Sequence, residues 1–418
     1  MKETKFKNTE IGRIPEEWEV SPLVDLCLQI TDGSHESPIE AEYGHYMPSV
    51  KDMYTNGFNF ASCKKISEKD YQRLVNNGCK PQKGDVLIAK DGSILKYSFD
   101  LKEDLPIVLL SSIAIIRPCH SEIDSGYLAL LFRQPMFIER VLANFKTGTG
   151  VPRIVLKNFE KIHISYPYDL TEQHHIASAL TSIDNLISSL GKLIEKKKNI
   201  KQGAMQQLLT GKIRLKEFNE PWVKRKLGDN ATIQRGGSPR PIEAYLTTNQ
   251  DGINWIKIGD VRPNDKFIRH TVEKIIPEGI SHSRQVYKGD FILSNSMSFG
   301  RPYILDIDGC IHDGWLVIKD YSNTYDMDFL YYILSSDTVF EQYIAMAAGS
   351  SVKNLNKEKV ANVVLFAPQS LAEQRAIATI LNKMDNEITA LETKKAKYEA
   401  IKQGMMQQLL TGKIRLIS

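Results

Sequence analysis

The sequence predicts an α+β fold: two mixed α/β globular domains separated by two long helices that pair as an antiparallel coiled coil, with a pseudo-twofold internal repeat. Three observations carry this expectation: a long self-similarity at one fixed offset, an apolar heptad seam inside the repeated segments, and short buried-strand patterns between them. The 418 residues are 42% apolar and 25% charged, enough chain for two or three domains with their own cores. Disordered and collagen-like classes are excluded by that composition. With 54 Lys+Arg against 50 Asp+Glu the net charge is +4, which neither demands nor excludes a polyanionic partner, so any basic surface must be local.

The repeat organises the chain. Ile200 to Leu215 reads IKQGAMQQLLTGKIRL and Ile401 to Leu416 reads IKQGMMQQLLTGKIRL, so 15 of 16 positions agree at an offset of 201 residues. Without a gap, Glu172-Gln173 meets Glu373-Gln374, Leu180 meets Leu381 and Asp184 meets Asp385. Further upstream only landmarks persist: Trp18 and Trp222, Gly84-Asp85 and Gly289-Asp290, Gly148 and Gly349. The expected boundaries are a first globular domain over 1–165, a helical spacer over 166–215, a second globular domain over 216–366 and a second spacer over 367–418.

Within the spacers, Ile176, Leu180, Ile183, Ile187, Leu190 and Ile194 step by four and three, the a/d spacing of a coiled-coil seam, and Ile377, Leu381, Met384, Ile388 and Leu391 repeat it. These are the expected helix-pairing residues. A seam needs a partner seam, and antiparallel pairing within the chain would place the two domains at opposite ends of a rod. The alternative is that each helix packs on its own domain or on another molecule. In the globular portions Val86–Ala89, Ile107–Leu110, Ile113–Ile116 and Phe291–Leu293 read as buried strands, and Tyr127–Phe132 and Phe329–Leu334 as short helices.

No catalytic signature emerges. The chain has no GxxxxGK[ST], no GxGxxG and no Pro-Pro pair of the kind an amino-methyltransferase loop uses. Glu195-Lys196-Lys197 and Glu392-Thr393-Lys394 match a nuclease Glu-x-Lys literally, yet both fall on the heptad helices among other lysines and read as solvated flank. Five scattered cysteines without a CxxC, and His174-His175 without a ligand cluster, give neither a disulfide framework nor a metal site. No cofactor is expected. The start MKETKFKNTE lacks an apolar signal stretch and no run of 18 apolar residues occurs, so the expectation is a cytoplasmic chain without a membrane contact.

Polar recognition residues concentrate in the Gly/Ser/basic loops. Thr31, Asp32, Ser34 and His35 in the first domain correspond roughly to Arg235, Ser238 and Arg240 in the second, and Lys90 and Ser93 to Asn295, Ser298 and Arg301. Lys146, Thr147, Thr149 and Arg153 correspond to Ser350, Ser351, Lys353 and Asn354. Such groups suit phosphate oxygens and base edges, although ordinary turns use the same Gly, Ser and Asn. On the helices Lys201, Gln202, Gln206 and Gln207 recur as Lys402, Gln403, Gln407 and Gln408. Either the two segments meet each other, or both bind copies of one partner, or the underlying DNA is kept alike for recombination.

The order domain, helix, domain, helix resembles the specificity subunit of type I restriction-modification systems. The openings IPEEWEVSPLVDL and NEPWVKRKLGD, the helix starts EQHHIASAL and EQRAIATIL, and the closings KQGAMQQLLTGKIRL and KQGMMQQLLTGKIRL carry that resemblance over essentially the whole chain. It implies a non-catalytic subunit in which each globular domain reads one half of an asymmetric bipartite target in double-stranded DNA. The helices would set the gap and dock two methyltransferase (modification) subunits, with ATP-dependent restriction subunits in the full complex. A two-headed protein scaffold without DNA binding is the rival expectation.

Overall fold

The computed structural model describes residues 4–148, 150–262, 265–295, 300–347 and 355–417. The chain forms two compact units, Met1–Gly191 with Lys394–Ser418, and Lys192–Thr393. Each unit therefore combines one globular domain with a portion of both long helices, which run Leu170–Leu208 and Leu371–Leu409.

In the first unit an antiparallel sheet has the strand order Ser98–Asp100, Val86–Ala89, Ile113–Pro118, Cys27–Asp32. Val86–Ala89 is buried at all four positions, as its unbroken apolar run requires of a central strand covered on both faces. A second pair, Trp18–Pro22 with His163–Pro167, closes the domain beside the helices. The core unites Trp18, Ile88, Ile116 and Tyr127 with Ile176 and Leu180 of the first long helix and Met406, Leu409 and Leu410 of the second. Trp18 meets Tyr127 edge-on at 6.4 Å.

Ile107–Leu110 departs from expectation. It is buried from Ile107 to Leu109 yet forms only isolated bridges, at Ile107 and Leu110. Its amides bond two separate segments in alternation, Val108 to Tyr46 and Leu110 to Pro48 on one, and Leu109 to Cys79 on the other. An apolar run signals burial, and these partners make it a stitch through the core instead of a rung of one ladder.

The second unit carries a sheet in the order Thr232–Arg235, Trp315–Lys319, Phe291–Ser294, Pro302–Leu305, Phe267–Ile268. A further five-stranded sheet, built from short strands between Leu246 and Ile311, packs through Trp255, Ile275 and Cys310. Val223–Lys226 pairs with Val364–Ala367, and Met327–Leu334 and Asp337–Ala347 are helical.

Within each unit the two helix portions run antiparallel. In the first, His175 lies by Leu416, Asp184 by Lys402 and Gly191 by Lys395. In the second, Glu373 lies by Arg214, Asp385 by Lys201 and Glu392 by Lys198. Of the heptad positions, Ile176, Leu180, Ile183, Leu190, Ile194, Ile377, Leu381 and Ile388 are buried, and Ile187, Met384 and Leu391 are half-buried. Both packing modes occur, because the starts of the seams also enter the cores of the globular domains.

The matched polar positions have local causes. Gln173 accepts from the Asp124 amide and donates to the Pro167 carbonyl, and Gln374 does the same with Asp326 and Pro368. Asp124 and Asp326 in turn cap the short helices that follow them. Gly211 and Gly412 adopt φ of +69° and +67°, the left-handed stop of a helix. At Gly412 a Cβ would lie 2.3 Å from Pro15 Cγ, so the helix end docks against the opening segment only as glycine.

Candidate nucleic-acid interface

In the first domain four segments separated in sequence meet at the end of the main sheet. Ser34 donates its amide to Leu109, Lys90 to Ser112, Ile154 to Lys90 and Gly92 to Pro152, while Thr147 and Arg153 exchange both backbone hydrogen bonds at 2.8 Å. The approach at Gly33 is so close that a Cβ would sit 2.1 Å from the Leu109 carbonyl oxygen. Glycine is required there because backbone packs on backbone.

Upon this frame the side chains divide. Lys90 is buried, with its ammonium 3.3 Å from Asp32 and 3.3 Å from Asp91. Ser34 is also buried and donates to the Glu36 carbonyl, and Thr31 and Asp32 are half-buried. His35, 3.5 Å from Asp32, is exposed, as are Ser93, Lys146, Thr147 and Arg153. The exposed donors come from three separate segments, whereas Lys90 is occupied by the two carboxylates it bridges.

The second domain builds the same frame with different side chains. Gly236 donates to Trp315, Gly237 to Ile311, Asn295 to Gly314 and Leu355 to Asn295. A Cβ on Gly236 would lie 2.2 Å from the His312 carbonyl oxygen. Lys90 and Asn295 thus occupy matching places, as do Ser111 and Asp313. Asn295 is buried and donates to the Asp313 carbonyl at 2.9 Å; Arg235 does so at 3.2 Å. Ser238 donates to the Asp313 carboxylate at 3.0 Å, and the exposed Arg240 stands 3.9 Å from it. Arg301 is exposed immediately before the strand Pro302–Leu305, its amide donating to Ser294 Oγ at 3.3 Å. Thr149, Ser298, Ser350, Ser351, Lys353 and Asn354 lie outside the described residues.

The turn His312–Gly314 has no place among the residues singled out from sequence. Its counterpart in the first domain, Leu110-Ser111-Ser112, carries neither charge nor ring, so comparison of the two copies does not mark it.

On the helices, Lys201 pairs with Asp385 and Lys402 with Asp184, which also receives Arg133 at 2.9 Å. Burial pulls the Lys402 ammonium below the usual lysine range, against the opposing effect of Asp184. Tyr332, whose hydroxyl donates to Asp385 at 2.6 Å, is raised first by burial and then by that carboxylate. These contacts account for the matching lysines inside each unit. Gln202 donates to Asp337, and Gln206, Gln207, Gln403 and Gln407 are exposed, with Gln408 half-buried.

The Glu-x-Lys matches lie on the solvated flank: Glu195 is exposed, Lys197 pairs with Glu387 and Glu392 with Lys198. Burial pushes the Cys27 and Cys63 thiols up to about 12, which removes them as thiolate nucleophiles near neutrality. His174 pairs with Asp124 at 2.9 Å. Among the described residues no group of three or more His, Cys, Asp or Glu is placed to hold a metal ion, and no helix is long and apolar enough to cross a membrane.

The family model for the type I restriction modification DNA specificity domain matches twice, over residues 15–202 and 219–403. The type I restriction enzyme MjaVIII specificity subunit of Methanocaldococcus jannaschii is 28% identical, over 99% of this chain and 97% of the relative. The putative MjaX specificity subunit of the same organism is 26% identical, over 99% and 98%. Among solved structures, the type I restriction-modification S subunit from M. genitalium superposes with a TM-score of 0.61 at 15% identity, covering 94% of this chain and 96% of that one. A structure described for complex assembly and conformational transition of the type I restriction-modification system gives 0.60 at 16% identity, over 96% and 99%. The two stretches of the family model each span a globular domain and most of the helix that follows it, so the chain belongs to the type I restriction modification DNA specificity domain family.

Proposed function

We propose that this chain is the non-catalytic specificity subunit of a cytoplasmic type I restriction-modification complex, each globular domain reading one half of an asymmetric, interrupted duplex target. The observation that carries this reading is the shared backbone frame with unlike side chains: Lys90 and Ser111 stand in one domain where Asn295 and Asp313 stand in the other. A common scaffold with different polar groups presents two different patterns of donors and acceptors to base edges. The exposed His35, Ser93, Lys146, Thr147 and Arg153 would contact the first half-site, and Arg235, Ser238, Arg240 and Arg301 the second, with Arg and Lys on phosphates as well as bases. Thr149, Ser298, Ser350, Ser351, Lys353 and Asn354 extend these sets.

The connector is helical and unbroken over 39 residues, about 58 Å at 1.5 Å per residue. A stiff connector makes the distance between half-sites part of the specificity. Two methyltransferase subunits would dock on the exposed glutamines of the helix ends, with Lys201 and Lys402 holding the pair beneath them. Modification, and ATP-driven restriction in the full complex, would belong to those partner chains.

The test is to combine the purified chain with its candidate methyltransferase and map modified adenines on a long duplex. The expected result is one modified adenine in each half of a split, asymmetric sequence. Modification that needs no addition of this chain, or that follows one contiguous sequence, would overturn the proposal.

A further inference from the structure

The turn His312–Gly314 is the hub of the second domain's polar site. The Asp313 backbone carbonyl accepts from Asn295 and Arg235, and its amide approaches Ser238 Oγ at 3.3 Å. His312 Nδ1 accepts from the Gly314 amide at 2.9 Å, so in the neutral ring the proton sits on Nε2, which lies 3.0 Å from Asp313 Oδ1. Ser238 Oγ donates to the same oxygen. Oδ1 is thereby engaged twice, while among the described residues Oδ2 faces Arg240 at 3.9 Å, beyond ordinary hydrogen-bond reach. The carboxylate is 31% exposed, so an acceptor oxygen is held in a fixed direction at the surface.

Charge decides what that oxygen can meet. Arg235 and Arg240 flank the turn and attract phosphate, whereas a carboxylate repels it. Of the groups a duplex displays in its major groove, those that can donate to a carboxylate are the exocyclic amines of cytosine and adenine. The matching position in the first domain is Ser111, so a carboxylate at this place distinguishes the two domains. Resting on the DNA-reading proposal above, we infer that Asp313 is a specificity-determining residue that accepts a hydrogen bond from a cytosine or adenine amino group at one position of the second half-site.

The test selects targets from randomised duplexes with the full chain in its methyltransferase complex, comparing wild type with D313N. Asparagine keeps an acceptor for Ser238 and His312 but can present an amide donor where the carboxylate accepted. The expected result is loss of preference at one position of one half-site, roughly ten- to hundredfold, with the other half-site and the gap unchanged. D313E keeps the charge and displaces it by one methylene. It should weaken discrimination at that same position, and it serves if D313N does not fold. An unchanged selected sequence, or an affinity loss equal for all sequences, would overturn the assignment while leaving the DNA-reading proposal standing. If wild type selects no sequence, both fail together.

Discussion

Replacing Arg415 with Ala is expected to destabilise the first unit by about 3–5 kcal/mol, the cost of leaving a buried charge without its partner. Arg415 donates through Nε and Nη2 to the two oxygens of Glu172, both at 2.6 Å, and Glu172 is fully buried. Those bonds raise the Arg415 guanidinium above its ordinary range, and Glu17 adds a further contact at 3.0 Å. The pair joins the segment that follows the second long helix to the first turn of the other. Arg214→Ala in the second unit should cost less, because Trp222 Nε1 still donates to Glu373 at 3.1 Å after the arginine is gone. Urea unfolding of both variants and of the double variant Arg415→Ala with Glu172→Gln checks this. The double variant should recover part of the loss by removing the stranded charge, and an Arg415→Ala effect below about 0.5 kcal/mol, the range of ordinary surface substitutions, would contradict the account.

A duplex whose two half-sites stand at the wrong separation is expected to bind about 10²- to 10⁴-fold more weakly than the matched target. When the separation fits, the second domain's contact is effectively intramolecular. When it does not, one domain must let go, and the complex falls back to a single half-site plus non-specific phosphate contact. Titrating duplexes that differ only in the number of intervening base pairs measures this directly. Affinities within twofold of each other across all gaps would mean that the helices impose no distance.

The helices are the legible part of this molecule and the polar loops are not, for a physical reason. A helix seam and its caps follow from local periodicity, and the two copies agree where each unit reuses the same contact. Gln173 and Gln374 both tie a helix start to a capping aspartate, and Gly211 and Gly412 both stop a helix. The lysines Lys201 and Lys402 looked equally suited to a partner, because sequence does not say which carboxylate lies opposite. Antiparallel register places Asp385 and Asp184 there. In the loops, Lys90 was legible as a basic residue beside glycine, but not its burial between Asp32 and Asp91, which depends on segments far apart in the chain. Asp313 is not marked by comparison of the copies, because its counterpart in the first domain is the uncharged Ser111. Ile107–Leu110 shows the complementary limit: apolar pattern fixes burial, while the hydrogen-bond partners are a tertiary matter.

The central claim is that helix length sets the distance between the bases read by the two domains. One heptad inserted into each long helix, between Gly191 and Lys192 and between Thr393 and Lys394, keeps the seam in phase and adds about 10 Å of rise. Selection from randomised duplexes with this variant should return the wild-type half-sites separated by about three more base pairs, at 3.4 Å each. Recovery of the original separation would contradict it.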